Sequence, residues 1–389
     1  MNLSRLAVHA AASYGWSRSL LDESGAWRGS APTDVAAYYK APWSFSAAGD
    51  PDAGARSLSH IQANYLLPDG DLRPTANQVL LRRHPLYPHA HVAIGAIRTG
   101  RTETADRVLD FLVSQCPDRQ VAWGDRRQGD ESRRFDAIST AAIGLAFLER
   151  GDLDQARGAA DFLIRLLDIQ PKREEIFFSS VSEDGRLLTS FPDEDSSHDR
   201  CVRLGSRFQV WWALSFPLVF LARYSEIAAE SAAWRGALGY LALLERSPQA
   251  WDDLSAGKLA LGCALLYRQA GDPEHRKRAL RAICALVGRQ LADGRWNACN
   301  GGEGGSRDAP TAMGFEVNLE FALLMSLVGR SLAERDGRVF AEPGDQDEIG
   351  ILARWVCRSE RALLRTARAK AYRFHATRLG RWLIAKPAG

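Results

Sequence analysis

The densest group of chemically capable side chains lies between Ser182 and Arg207, where Asp193, Glu194, Asp195, His198, Asp199 and Cys201 fall within nine positions. Carboxylates this close raise one another's pKa and can keep one protonated as an acid, and with a histidine they could also hold a divalent cation. The plainer reading is an exposed acidic turn with Ser and Asp caps. A second group, TDVAAYYKAPWSF, holds Asp34, Tyr38, Tyr39, Lys40 and Trp43. Asp34 and Tyr38 are spaced to share a helix face, so a carboxylate beside a phenol could work as a general acid/base pair. Alternatively, Thr33 or Asp34 caps the helix and the tyrosines are core. A third group, HPLYPHAHVAIG, holds His84, Tyr87, His89 and His91. Histidine moves protons near neutral pH without a cofactor, but it is also a common capping or core residue. His89 and His91 would face different directions on a helix and cannot form a two-histidine metal pair.

Two polar loops, WGDRRQGDESRRFDA and WNACNGGEGGSRDAP, add Asp125, Arg127, Asp130, Arg133, Asp136, Asn300 and Arg307. The catalytic set expected is Asp34, Tyr38, His89, Asp193, Asp195 and His198. The substrate-contacting set is Tyr39, Trp43, Trp123, Asp125, Trp211, Trp212, Trp296 and Arg307. Trp27, Trp43, Trp123 and Trp296 offer flat faces on which a sugar ring could stack, while Trp211, Trp212, Phe216 and Phe220 could line an apolar cavity and steady a developing cation. No metal and no cofactor are expected. The cysteines at 116, 201, 263, 284, 299 and 357 form no C-x-x-C pair, and no P-loop, Rossmann fingerprint, nucleophile elbow or H-E-x-x-H occurs.

Composition limits the partners. Fifty basic and 47 acidic residues are well mixed and leave a net charge of +3, which gives no nucleic-acid footprint over most of the chain. The exception is the tail from Arg354 to Lys386, rich in Arg and Lys and interleaved with Trp355, Tyr372, Phe374 and Trp382. Such a tail either packs as a solvated helix or makes peripheral contact with an anionic membrane or acidic partner. The apolar run Phe208 to Ala222 is shorter than the roughly 20 residues that span a bilayer, so no transmembrane segment is expected. The start of the chain is too polar for a secretory signal. Scattered cysteines make a reducing cytoplasm the default location.

The elements that must position these groups form a repeat. FSAAGDPDAGARSLSHI, AIRTGRTETADRVLDFL and AFLERGDLDQARGAADFL each join two helical stretches through a Gly and a polar turn, and Gly49, Gly100 and Gly151 are 51 residues apart. LLYRQAGDPEHRKRALRAICAL puts Gly271 in the same role. A Gly followed by Asp or Arg suits the C-cap of one helix and the N-cap of the next. With two less regular units the count is six helical hairpins, starting near residues 34, 86, 136, 207, 252 and 312. The first helix of each is apolar nearly all round, which requires cover on every side. The expected fold is therefore all-α, an (α/α)6 toroid with inner and outer helix rings over residues 34–350, flanked by an N-terminal segment (1–33) and a C-terminal helix with basic tail (351–389).

The turns after the second helices carry Asp-Gly or Gly with an aromatic, and QLADGRW at 290–296 resembles the Q-x-x-x-G-x-W repeat of squalene cyclases, with SGAW at 24–27 a weaker echo. The chain thereby resembles the α/α-toroid group: terpenoid cyclases, protein prenyltransferase β subunits, and six-hairpin carbohydrate enzymes such as unsaturated glucuronyl hydrolases and sugar 2-epimerases. The cyclase acid motif Asp-x-Asp-Asp is approached only by Asp193-Glu194-Asp195-Ser196, and 311–316 lacks the His and Cys of a prenyltransferase zinc set. The leading expectation is a cofactor-free acid/base isomerisation, cyclisation or elimination on a small, partly apolar metabolite. The alternatives are a hydrolase, lyase or epimerase acting on a uronic acid or oligosaccharide, and a non-catalytic helical scaffold.

Overall fold

The computed structural model describes residues 2–28, 35–73, 84–116, 121–124, 133–191, 200–207, 209–296 and 312–337. Twelve α-helices occur among them: α1 (Leu3–Leu20), α2 (Ala41–Ala47), α3 (Pro51–Asn64), α4 (Tyr87–Arg98), α5 (Thr102–Ser114), α6 (Ala137–Arg150), α7 (Leu153–Asp168), α8 (Trp212–Ala228), α9 (Ser231–Glu245), α10 (Ala256–Ala270), α11 (Pro273–Val287) and α12 (Ala312–Arg335). The even-numbered helices are the nearly all-apolar ones, and each packs on the next, with α12 returning to α2. The odd-numbered helices pack outside them as a second layer, so the chain is an (α/α)6 toroid. No described helix is long and apolar enough to cross a membrane.

The hairpin turns follow from backbone sterics. Gly49, Gly100, Gly151 and Gly271 end their inner helices at φ of 72° to 88°, where a Cβ is disfavoured. In the α8–α9 turn the same left-handed position is filled by Ala229, at φ 53°. Where an Asp follows, it caps the next helix: Asp50 accepts from the Ala53 N–H at 2.9 Å and Asp152 from Gln155 at 3.1 Å.

A second repeated device binds four of the outer helices to the inner helix that follows. Turns at Gly25, Gly70 and Gly294 are closed by single bridges, Leu21 with Trp27, Leu66 with Leu72, and Gln290 with Trp296. The residue after such a turn donates its backbone N–H to a polar side chain at or near the start of the following inner helix: Trp27 to Tyr38, Leu72 to His89 and Trp296 to Asn318. Trp123 makes the same bond to Thr140. The indole N–H groups of Trp27, Trp123, Trp251 and Trp296 each donate to a main-chain carbonyl. These are buried donors that must be paired, and pairing them pins each loop.

The ring closes differently from the expectation. The helix at 3–20, expected in a separate N-terminal segment, is the outer partner of α12, so the sixth hairpin joins the two ends of the described chain. Trp16 and Trp27 stack on Phe315, and the Ser13 hydroxyl donates to the Asn318 carbonyl. Helix α1 also receives the turn that follows α11, because Gly294 at φ 91° lies so close that an added Cβ would sit 2.2 Å from the Ala12 carbonyl oxygen. The C-terminal helix and basic tail expected over 351–389 lie outside the described residues. Two small antiparallel sheets also appear, β1 (Arg134–Asp136) with β3 (Ser180–Ser182) and β2 (Ile176–Phe178) with β4 (Cys201–Arg203). They form a collar at the N-terminal end of α6, where Ala137 donates to the Ser179 carbonyl.

Two substitutions test this account. Gly294→Ala meets both a positive φ and a backbone carbonyl, and should cost roughly 2–4 kcal/mol in urea unfolding by loosening the α1 seam. Ala229→Gly relieves a left-handed alanine and should raise the unfolding midpoint, by about 0.5–1 kcal/mol in stability. An unchanged midpoint in either variant would contradict the geometry.

Candidate active site

The N-terminal ends of five inner helices converge on a buried polar cluster. Tyr39 and Lys40 lie just ahead of α2, and Tyr87 and His91 occupy the first turns of α4. Trp212 and Phe216 open α8, Lys258 lies in the first turn of α10, and Glu316 and Glu320 lie in the first half of α12. The Lys40 ammonium donates to Glu316 Oε1 at 3.1 Å and to Glu320 Oε2 at 2.8 Å. Lys258 pairs with the other oxygen, Glu320 Oε1, and the Tyr39 hydroxyl donates to Glu316 Oε1. The carboxylates are spaced to point from one face of α12, and Glu320 bridges two ammoniums that arrive on different helices.

These charges are nearly sealed from water. Lys40 is 2 % exposed, Lys258 5 % and Glu316 5 %, so each depends on its partner to offset desolvation. Burial alone would push the Glu320 carboxyl up, but the two ammoniums outweigh it and hold it well below the usual carboxylate range. Lys40 is likewise raised, because Glu316 and Glu320 overcome its burial. For Lys258 burial wins, aided by the like charge of Lys40, and its pKa is lowered. Burial also pushes the Tyr39 and Tyr87 phenols well up.

His91 sits among the aromatic members of the cluster. Its ring centroid is 5.2 Å from Tyr39, 4.6 Å from Tyr87 and 5.7 Å from Trp43, and its Nδ1 lies 3.3 Å from the Tyr87 carbonyl oxygen. Burial, with the nearby Lys40 charge, pushes its pKa down to about 3. The imidazole is therefore neutral at physiological pH. Lys258 lies over the rings of Phe216 and Trp212, at 5.1 and 5.8 Å from their centroids. The Trp211 and Trp212 indole N–H groups are buried and meet no hydrogen-bond partner among the described residues. This arrangement offers fixed positive charge, an ionised carboxylate, a neutral imidazole and unmatched donors beside aromatic faces.

The structure redistributes the residues singled out in the sequence. Tyr39, Trp43 and Trp212 belong to the cluster, and Trp211 begins the same helix turn. Tyr38 and His89 do not reach it; they accept the loop N–H groups of Trp27 and Leu72. Tyr38 packs on Trp27, His60 and Tyr65, while His89 stacks on Phe111 and contacts Asp71 at 3.0 Å. Their neighbours Tyr39 and His91 face the centre instead, because a step of one or two residues turns a side chain to another face. Trp123 and Trp296 are buried in the core, with indole N–H groups bonded to main-chain carbonyls, and present no open stacking face. Asp34, Asp125, Asp193, Asp195, His198 and Arg307 lie outside the described residues. Among the described residues no group of three or more His, Cys, Asp or Glu side chains is arranged to hold a metal.

Lys258, Glu316 and Glu320 escaped the sequence reading. Their signal was present: AGKLALGCALLY and FEVNLEFALL each carry charge inside an otherwise apolar inner helix. A lone charge there demands an opposite one on a facing helix.

No family model and no curated protein matches the sequence. Several solved structures match the fold. A family 76 glycoside hydrolase, an α-mannanase of Bacteroides thetaiotaomicron, superposes with a TM-score of 0.54 at 13% identity over 82% of this chain and 95% of that one. A D-mannose isomerase gives 0.60 at 11% identity over 82% and 97%. An unsaturated glucuronyl hydrolase specific for heparin gives 0.55 at 10% identity over 87% and 98%. At such identities the likeness carries the fold alone: the chain has the α/α-toroid architecture of these six-hairpin carbohydrate enzymes.

Proposed function

We propose that this chain is a carbohydrate-active enzyme, with the buried cluster as its site and a proton-transfer isomerisation of a sugar as its reaction. The observation that carries the reading is a neutral His91 held near the Glu316 and Glu320 carboxylates and two lysine ammoniums, where the N-terminal ends of the inner helices converge. The architecture shared with sugar-acting enzymes moves the substrate class from a partly apolar metabolite to a saccharide.

Hydrolysis of a glycosidic bond needs a carboxylic acid that keeps its proton at neutral pH. Glu320 cannot supply one, since two ammoniums hold it ionised. Proton transfer between adjacent carbons suits the cluster better. A carboxylate takes the C–H proton, and a neutral imidazole moves the proton between neighbouring oxygens, which an imidazolium does less well. Glu316 fits the first role: Oε1 takes the Tyr39 and Lys40 hydrogen bonds, and Oε2 receives none among the described residues. In an open-chain aldose it would remove the C2 proton, whose electron pair forms the enediol as O1 gains a proton. Return of the proton to C1, with loss of the O2 proton, yields the ketose. Lys40 would steady the enediolate charge.

A second reading, hydrolysis or elimination, has one observation in its favour. The acidic segment holding Asp193 and Asp195 joins β3 to β4, and the collar to which these strands belong is anchored at the N-terminal end of α6.

Incubation of the protein with aldohexoses in D2O distinguishes the two. Isomerisation should wash deuterium into C1 or C2, read by NMR, whereas release of reducing ends from oligosaccharides without wash-in would favour hydrolysis and refute the proposal. Glu316→Gln and His91→Gln should each lower kcat by about 10²–10⁴-fold. The imidazole also makes a stability prediction. Its folded pKa of about 3 lies below its ordinary 6.5, so the unfolded chain binds a proton first and stability falls as pH drops through that window. Between pH 6.5 and 4.5, where any Glu320 contribution is common to both proteins, His91→Gln should lose stability less steeply than the parent. The difference approaches about 1 kcal/mol per pH unit in chemical unfolding; parallel curves would place His91 in contact with water.

A further inference from the structure

We infer that the site selects an uncharged sugar over a uronic acid, and that Glu320 is the residue that sets this preference; the inference rests on the carbohydrate reading above. The argument is a charge balance. Lys40 and Lys258 bring two positive charges to the cluster and Glu316 and Glu320 bring two negative ones, each in direct contact with an opposite partner. His91 is neutral there. Asp253, close enough to feel the Lys258 charge, is shifted by burial toward its neutral form and is engaged by the Ser255 N–H and hydroxyl. Every described ammonium at the centre is therefore already matched.

A ligand carboxylate brought into this cluster would lose its hydration and find no unmatched cation among the described residues, which is the costly case of a buried charge without a partner. A hydroxyl-bearing neutral ring meets the opposite situation. The Trp212 indole N–H is a buried donor with no acceptor among the described residues. Sugar hydroxyls supply acceptors without net charge, and the Trp212 and Phe216 faces can take the apolar side of the ring. Glu320 is decisive because, among the described residues, it alone pairs Lys258. Replacing its carboxylate with an amide would leave Lys258 without its counter-charge and the cluster with net positive charge, the condition in which a uronate carboxylate becomes a good partner.

The test is isothermal titration calorimetry of the full chain with D-mannose and D-mannuronate, and with D-glucose and D-glucuronate. The parent protein should bind at least one hexose ten-fold or more tightly than its uronate, and Glu320→Gln should shrink or invert that ratio by at least ten-fold. Lys258→Met gives a second arm that does not depend on the first variant folding: it leaves the cluster net negative and should widen the hexose preference. Equal or tighter binding of the uronate by the parent would overturn the inference while leaving the carbohydrate reading intact. A ratio unchanged in the variants that fold would also overturn it. Binding of none of the four sugars by the parent would overturn the carbohydrate reading and the inference together.

Discussion

Four charged side chains buried at the centre of the ring constrain everything around them. Lys40 precedes the first inner helix, Lys258 lies on the fifth, and Glu316 and Glu320 lie on the sixth. None could stay ionised there alone, since removing one partner from a buried ion pair typically costs about 3–5 kcal/mol. The cluster therefore holds only if the two ends of the repeat meet, and the toroid must close. An open solenoid of the same hairpins would leave Lys40 nearly 280 residues from its counter-charges, with no facing helix to present them.

The seam that brings these ends together is built from ordinary parts used once more. Helix α1 covers α12 as every other outer helix covers its inner partner, and the turn after α11 packs on α1 through Gly294 in the manner of Gly25 against Arg56 and Gly70 against Arg107. What differs is connectivity: elsewhere inner and outer helices are joined by a tight turn, whereas among the described residues α1 and α12 meet through packing and the Ser13–Asn318 hydrogen bond. The Trp27 and Phe315 stack and the Gln290 amide donating to the His9 carbonyl at 2.8 Å do the work of the missing covalent turn.

Division of labour between neighbouring residues explains how one helix start can serve both structure and chemistry. Tyr38 and His89 face the loops and hold them, while Tyr39 and His91 face the centre. The latch needs a polar side chain for a loop N–H near the start of α2, α4, α6 and α12, and the candidate site draws on polar side chains one helix face away. Both demands concentrate Tyr and His in the same few positions.

Local sequence was enough for the hairpins. A left-handed residue between helices and an Asp cap are decided by backbone sterics and near-neighbour hydrogen bonds, so Gly49, Gly100, Gly151 and Gly271 could be read directly, and all-round apolar helices implied a double ring. The echo of QLADGRW in SGAW at 24–27 is the local sign that an outer helix precedes it, since such turns follow outer helices. The site was legible only as a neighbourhood. Which of Tyr38 and Tyr39, or His89 and His91, faces inward depends on helix register, which shifts by one residue with the length of the turn before it. The pairing of Lys40 and Lys258 with Glu316 and Glu320 depends on ring closure, a long-range contact that no local pattern encodes. Sequence by itself determined the repeating unit because its forces act within one or two turns; tertiary structure alone decided the buried charge cluster because its partners lie at the other end of the chain.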